Sequence, residues 1–324
     1  MKSLLTKKTG AIVAMIFTSA MMINDANALT VYTAGPGTLA KKLAAGYEKQ
    51  SRTKVNIFQA TTGKVMARLE AEQANPLADV LISASWDTAE ELQQRGWLLP
   101  YQSANAAKVP DFLKTDFYVA QGISALGIVW NTKSGTPEPK EWRDLTTPDF
   151  KDKVTTPDPA LSGASLDLLI GLQNGMGEQA WQLFEKLKAN GMAIGGANAQ
   201  ALTPVLQGAK AAVFGAVDYV SYGSIQDGEA IKVIFPPSGT VVAPRPMMIL
   251  KTTQHAAEAK AFVDYVLSPE GQELVASAWL MPARSDIGAR RPLLSDLKLL
   301  PSAGDGSSDR AEVLQRFGKL FARP

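Results

Sequence analysis

Apolar and polar positions along the chain form short apolar runs that alternate with amphipathic stretches. Residues 29–34 are apolar and β-branched and predict a strand, while 38–50 put Leu39, Leu43 and Tyr47 on one helical face. The same reading predicts strands at 54–60 and 78–83 and helices at 64–74 and 87–95, the last closed by Gly96. A long apolar strand then runs through Ala125-Leu126-Gly127-Ile128-Val129-Trp130, followed by a polar, proline-bearing stretch at 132–139. A second series follows, with helices at 166–174, 177–190 and 199–207 and strands at 211–216 and 230–235. The strand predicted at 241–250 is interrupted by Pro244 and Pro246. Helices at 256–267 and 269–279 come next, and a last amphipathic helix starts at Asp309. Strands alternating with helices predict an α/β fold with parallel sheets. The change of pattern predicts two lobes: 29–130 with 247–324 as lobe 1, and 131–246 as lobe 2. The chain would cross between them twice, near Asn131 and near Val242.

Ahead of this pattern stands a different one. Lys2, Lys7 and Lys8 precede an uncharged apolar run at 11–23, and Ala26-Asn27-Ala28 fits the small-x-small site of signal peptidase. That order predicts a cleaved secretory signal peptide over residues 1–28 and a periplasmic mature chain. The apolar run of 13 residues is short of the ~20 a membrane span needs.

Composition narrows the chemistry. Removing 28 of 324 residues leaves 296, enough for two lobes with their own cores. Three lysines and Asp25 leave with the leader, so the mature chain carries 30 basic and 30 acidic residues. A neutral balance gives no electrostatic footprint for nucleic acid or a lipid surface. There is no Cys, hence no disulfide frame, thiolate or lipid-anchored cysteine. A single histidine, His255, leaves no two-His metal site, and it reads as an exposed bystander rather than part of a triad.

The candidate chemistry lies at strand-to-helix junctions. Gly37 and Thr38 open the first helix; Thr61, Thr62 and Gly63 open the second; Ser83 and Ser85 open the third. In the second lobe Ser162, Gly163, Ser165 and Asn198 stand at equivalent places. A helix N-terminus offers unpaired N–H groups and about half a positive charge, so several converging openings make an anion site. The alternative for each is ordinary N-capping. Gly63-Lys64 lacks the spacing of a phosphate-binding P-loop, and Gly35-Pro36-Gly37 lacks the third glycine of a dinucleotide fingerprint. Asp218, just past a buried strand, either holds a ligand amine or hydroxyl or caps the next helix. Tyr219 and Tyr222 are lip residues of a cleft or helix packing. Arg245, between two prolines, reaches an anion bidentately or forms an inter-lobe ion pair.

Several stretches resemble a known family: Thr30-Val31-Tyr32-Thr33, Asn75-Pro76-Leu77-Ala78-Asp79-Val80, Gly127-Ile128-Val129-Trp130-Asn131, Pro139-Lys140-Glu141-Trp142-Arg143-Asp144-Leu145, and 262–272 from Phe262 to Gln272. They are similar to the extracellular solute-binding proteins of bacterial ABC importers, in the branch that holds ferric-ion, phosphonate and sugar-phosphate binders. The resemblance implies a type II clamshell of two lobes with two hinge crossings, closing on a solute and handing it to an inner-membrane permease. It implies no enzyme activity, no cofactor, no resident metal and a monomer. Ferric members of the branch carry a His after the first strand and a Tyr-Tyr pair where this chain has Val217-Asp218. Phosphonate relatives carry an Asp at the place of Asp218, which implies a small phosphorylated organic anion, an aminoalkylphosphonate or a sugar phosphate, as ligand. The rival readings are a ferric binder using Tyr219 and Tyr222, and a secreted phosphohydrolase.

Overall fold

The computed structural model describes residues 28–300 and 309–322. The predicted signal peptide therefore lies outside the described residues, apart from Ala28. The chain begins with β1 (Leu29–Thr33), α1 (Gly37–Ser51), β2 (Val55–Gln59), α2 (Thr62–Ala71), β3 (Val80–Ile82), α3 (Trp86–Gln94) and β4 (Leu98–Leu99). Then comes β5 (Tyr118–Asn131), a 14-residue strand buried along almost its whole length, as a continuous apolar run demands. The second series is β6 (Val154–Thr156), α4 (Gly163–Met176), α5 (Glu178–Ala189), β7 (Ala193–Ile194), α6 (Asn198–Leu206), β8 (Ala212–Val217), α7 (Asp218–Gln226) and β9 (Ile231–Ile234). The return is β10 (Val242–Leu250), α8 (Ala256–Val266), α9 (Pro269–Ser277), β11 (Met281–Pro282) and α10 (Arg310–Phe321).

The strand order is β2-β1-β3-β10-β5-β8-β6-β7. Parallel pairing holds, as expected from the alternation, for β1 with β2 and β3 and for β6 with β7 and β8. It fails where β10 pairs with β3 and β5, and where β5 pairs with β8 and β9; all of these are antiparallel. The reason is topological: β5 and β10 run between the lobes and are not joined to their neighbours by helical crossovers.

Of the four apolar clusters among the described residues, the two largest flank this shared ribbon. Leu29, Leu39, Leu43, Val80, Ala125, Met247 and Phe262 belong to one, and Leu126, Ile128, Leu169, Phe184, Phe214 and Ala243 to the other. Thus β5 changes core between Ala125 and Leu126, ahead of the crossing expected at Asn131, and β10 changes between Ala243 and Met247. Sequence composition does not mark the first point because the strand stays apolar on both sides of it.

The tail departs from expectation. The sequence pattern places residues 247–324 in lobe 1, yet Val313 and Phe317 of α10 are buried in the second core. The Phe317 ring lies 6.1 Å from that of Phe184 on α5. The chain gets there along 283–300, where Leu300 N donates to the Thr240 carbonyl at 2.9 Å. The amphipathic face of α10 satisfies either lobe, and the apolar flank of α4 and α5 is what takes it. Phe317→Ala is expected to lower the free energy of unfolding by about 3–5 kcal/mol in urea titration, the cost of a large cavity in a packed core.

Candidate functional site

Arg245 is the odd member of the hinge ribbon. Pro244 stands opposite Ile123 and Pro246 opposite Ala120, so Arg245 alone faces the two residues Gln121 and Gly122. Such a bulge bends the ladder and re-aims a side chain, and two prolines with no N–H to donate suit an irregular position. The Arg245 side chain is 0 % exposed. Its Nη1 donates to the Ala34 carbonyl at 3.3 Å, and its guanidinium lies 5.0 Å from the Tyr219 ring centre. Its Nε and Nη2 have no partner among the described residues.

The helix openings converge on the same place. A Cβ added to Gly163, at the start of α4, would lie 2.9 Å from Ser85 Cβ and 3.0 Å from Thr62 Oγ1. One added to Gly63 would lie 2.9 Å from the Ala160 carbonyl oxygen. The two glycines let backbone from the second lobe approach the openings of α2 and α3 on the first. The opening of α1 joins them through Ala34, whose carbonyl holds Arg245. The Ala60 N–H, just before α2, donates to the Thr33 carbonyl at 3.1 Å.

Capping divides these residues. Ser162 accepts from Ser165 N at 3.2 Å and donates to Asn198 Oδ1 at 2.9 Å, while Ser165 Oγ donates to the Pro157 carbonyl at 3.0 Å. Ser83 Oγ accepts from Ser85 N. Ser83, Ser162, Ser165 and Asn198, predicted as ligand contacts, are thus engaged in holding the loops. By contrast, among the described residues α1, α2 and α3 have no side-chain cap, and Thr61 Oγ1 is buried without a partner. Gly37 lies beside the Gln59 side chain, and Thr38 is exposed on the outer side of α1.

Asp167, one turn into α4, completes the ring. Its Oδ1 accepts from Ser85 Oγ at 2.7 Å, and its Oδ2 is shielded from solvent without a partner among the described residues. Ser85 Oγ in turn accepts from Arg310 Nη1 at 3.0 Å, so α10, seated on the second lobe, reaches α3 on the first. Burial pushes the Asp167 carboxyl up to about 8, with Asp87 adding to the shift; Ser85, Arg310 and Arg245 oppose it. Sequence reading missed Asp167 and Arg310. On a helical wheel Asp167 stands one turn beyond Gly163, the only signal that pointed inward.

Asp218 makes the bond expected of a residue that caps the next helix, along with others. It is 0 % exposed; its Oδ2 accepts from Ala125 N at 2.8 Å and pairs with Arg291 Nη2, and its Oδ1 accepts from Tyr219 N at 2.7 Å. Burial raises its pKa against the pull of Arg291 and the two N–H groups. These bonds tie the tail segment, β5 and α7 together. Tyr222 stacks on Trp279 with ring centres 5.8 Å apart, and burial pushes its phenol up to about 12. His255 is not a bystander: Nδ1 lies 3.3 Å from Asp79 Oδ2, at the end of β3 opposite Ser83 and Ser85. A cavity of about 210 Å³ lined by Leu69, Leu77, Trp97 and Leu250 lies on the flank of the first lobe and contains none of the predicted residues.

Two outcomes follow. Gly163→Ala should hold the lobes apart, raising the radius of gyration in X-ray scattering while leaving the urea midpoint nearly unchanged. Asp167 has a folded-state pKa above its unfolded value. Its contribution to stability is therefore full below about pH 4 and is lost as pH rises toward about 8. The unfolding midpoint should fall across that window, and Asp167→Asn should remove that component of the fall.

With this geometry in place, relatives can be compared. Residues 75–301 match the family model of the bacterial extracellular solute-binding proteins. A Salmonella typhimurium protein, provisionally assigned as a 2-aminoethylphosphonate-binding periplasmic protein, is 24% identical over 253 residues, covering 74% of this chain and 73% of its own. The periplasmic binding protein AfuA of Actinobacillus pleuropneumoniae, solved with fructose-6-phosphate, superposes with a TM-score of 0.82 at 23% identity, covering 90% of this chain and 98% of its own. Iron-bound HitA of Pseudomonas aeruginosa gives 0.80 at 22%, covering 91% and 99%. These neighbours have the type II fold of two lobes around a solute cleft. The chain, matched by the family model over most of its length, belongs to the bacterial extracellular solute-binding protein family.

Proposed function

We propose that this chain is the periplasmic solute-binding component of an ABC importer and that it takes a small phosphorylated organic anion between its lobes. Arg245 carries the reading: a fully buried guanidinium with Nε and Nη2 unpaired, among helix openings without side-chain caps. A buried charge with no counter-ion is costly, and an oxyanion accepting from it and from helix N–H groups supplies the missing partner. A phosphate or phosphonate has enough oxygens to accept from Arg245, Thr61 and the α2 opening together. AfuA, solved with fructose-6-phosphate, and the Salmonella relative, named for 2-aminoethylphosphonate, support this class.

The remaining parts of the reading follow from it. The leader at 1–28 exports the chain, the lobes close as a monomer, and an inner-membrane permease reads the closed form. Binding rather than turnover is supported by the position of His255, the one imidazole in the sequence, at the far end of β3. A ferric cargo has less support: the Arg245 charge sits beside Tyr219, and the raised phenol of Tyr222 disfavours a tyrosinate.

Calorimetry of the mature chain against a panel of phosphonates and sugar phosphates tests the proposal. Binding to at least one is expected, with Arg245→Ala losing about 2–5 kcal/mol of affinity for it. No binding to any of the panel, with tight ferric binding instead, overturns it.

A further inference from the structure

The cleft holds orphaned groups of two kinds. Arg245 and Thr61 offer donors, and Asp167 offers an acceptor, Oδ2; together they own four of the five buried side-chain polar atoms without a partner among the described residues. A simple inorganic anion satisfies the donors and leaves Asp167 as it is. We infer that Asp167 selects the second functional group of the ligand: a primary ammonium, borne a few bonds from the anionic head at Arg245, donates to Oδ2. The ligand class is then a short zwitterionic aminoalkylphosphonate or aminoalkyl phosphate. This rests on the anion site proposed above and goes beyond it by naming the group at the other end.

The charges facing Asp167 favour an ammonium over a hydroxyl. Asp87, at the start of α3, is a second carboxylate acting on it. Of the two opposing cations, Arg310 already donates to Ser85 Oγ and lies 3.5 Å from Asp87 Oδ2. The other is Arg245, whose positive field is offset once a dianionic head is bound. Without a new cation the Asp167 carboxyl then stays protonated, and a ligand hydroxyl does not change that. An ammonium does: it pairs with the carboxylate, donates N–H to Oδ2, and the carboxyl proton leaves for solvent. Ser85 Oγ keeps its hydrogen bond to Oδ1 and holds the carboxylate in place.

The test compares 2-aminoethylphosphonate with its amine-free analogue ethylphosphonate and with 2-hydroxyethylphosphonate, using the full mature chain. Calorimetry at pH 6.5 in buffers of different ionisation enthalpy counts the protons, with each affinity expressed per dianion and the proton lost by each phosphonate head, known from its own titration, subtracted. The expected result is a preference of at least tenfold for the amine, with close to one proton released per ligand bound. Asp167→Asn should level the three affinities and abolish the release, with its folding checked by thermal unfolding. Equal wild-type affinities, a preference for the hydroxyl compound, or no proton release overturns the role of Asp167 and leaves the anion site standing. Failure of wild type to bind any of the three, while it binds a sugar phosphate, overturns Asp167 as an ammonium selector alone. Failure to bind any phosphorus-bearing anion overturns both readings. The wild-type proton count decides the matter even if the variant does not fold.

Discussion

The arrangement of the cleft depends on a guanidinium buried without a counter-ion. Arg245 is enclosed by the hinge ribbon, the Ala34 carbonyl and the Tyr219 ring. One neutral carbonyl at 3.3 Å is weak compensation for removing a full charge from water. Natural cores rarely keep such a charge unless it is paired. It lies at the bend where two strands pass between the lobes, so the anion proposed as its partner would act on the hinge itself. The proposed anion would meet both halves there, because the opening of α4 lies against those of α2 and α3.

The polar residues around that charge divide into two groups by what they already hold. Ser83, Ser162, Ser165 and Asn198 make hydrogen bonds to other residues of the loops at their helix openings. Asp218 works similarly at larger scale, tying β5, α7 and the tail through Arg291. Rigid supports matter because the openings must stay aligned as the lobes meet. Thr61, Arg245 and Asp167 are left with unpaired atoms. The contact of Arg310 with Ser85 adds a strut from the tail helix to the first lobe, so α10 is part of the closed interface as well as of the second core.

Much of this was legible before any coordinates. The 3.6-residue spacing of Leu39, Leu43 and Tyr47, the apolar runs of β1, β3 and β5, and Gly96 in the left-handed region after α3 (φ +69°) are local consequences of chain chemistry. The helix openings were recognisable because Gly, Ser and Thr at strand ends are short-range signals. Pro244 and Pro246 also marked an irregular position, and Arg245 between them was a candidate for that reason. The capping of some openings and not others was not legible: Ser85 and Ser162 are the same residue type at similar junctions. Only neighbours distant in sequence, Asp167 and Asn198, give them different duties.

The sequence by itself therefore determined the elements, the α/β class and the set of residues from which a site is drawn, since each depends on periodicity and local backbone preference. The tertiary structure alone decided the core to which α10 belongs and the residue at which β5 changes lobes. It also decided which carboxylate is satisfied, Asp218, and which is not, Asp167. Those outcomes depend on desolvation and on partners 73 to 225 residues away, quantities that no local pattern of apolar and polar positions encodes.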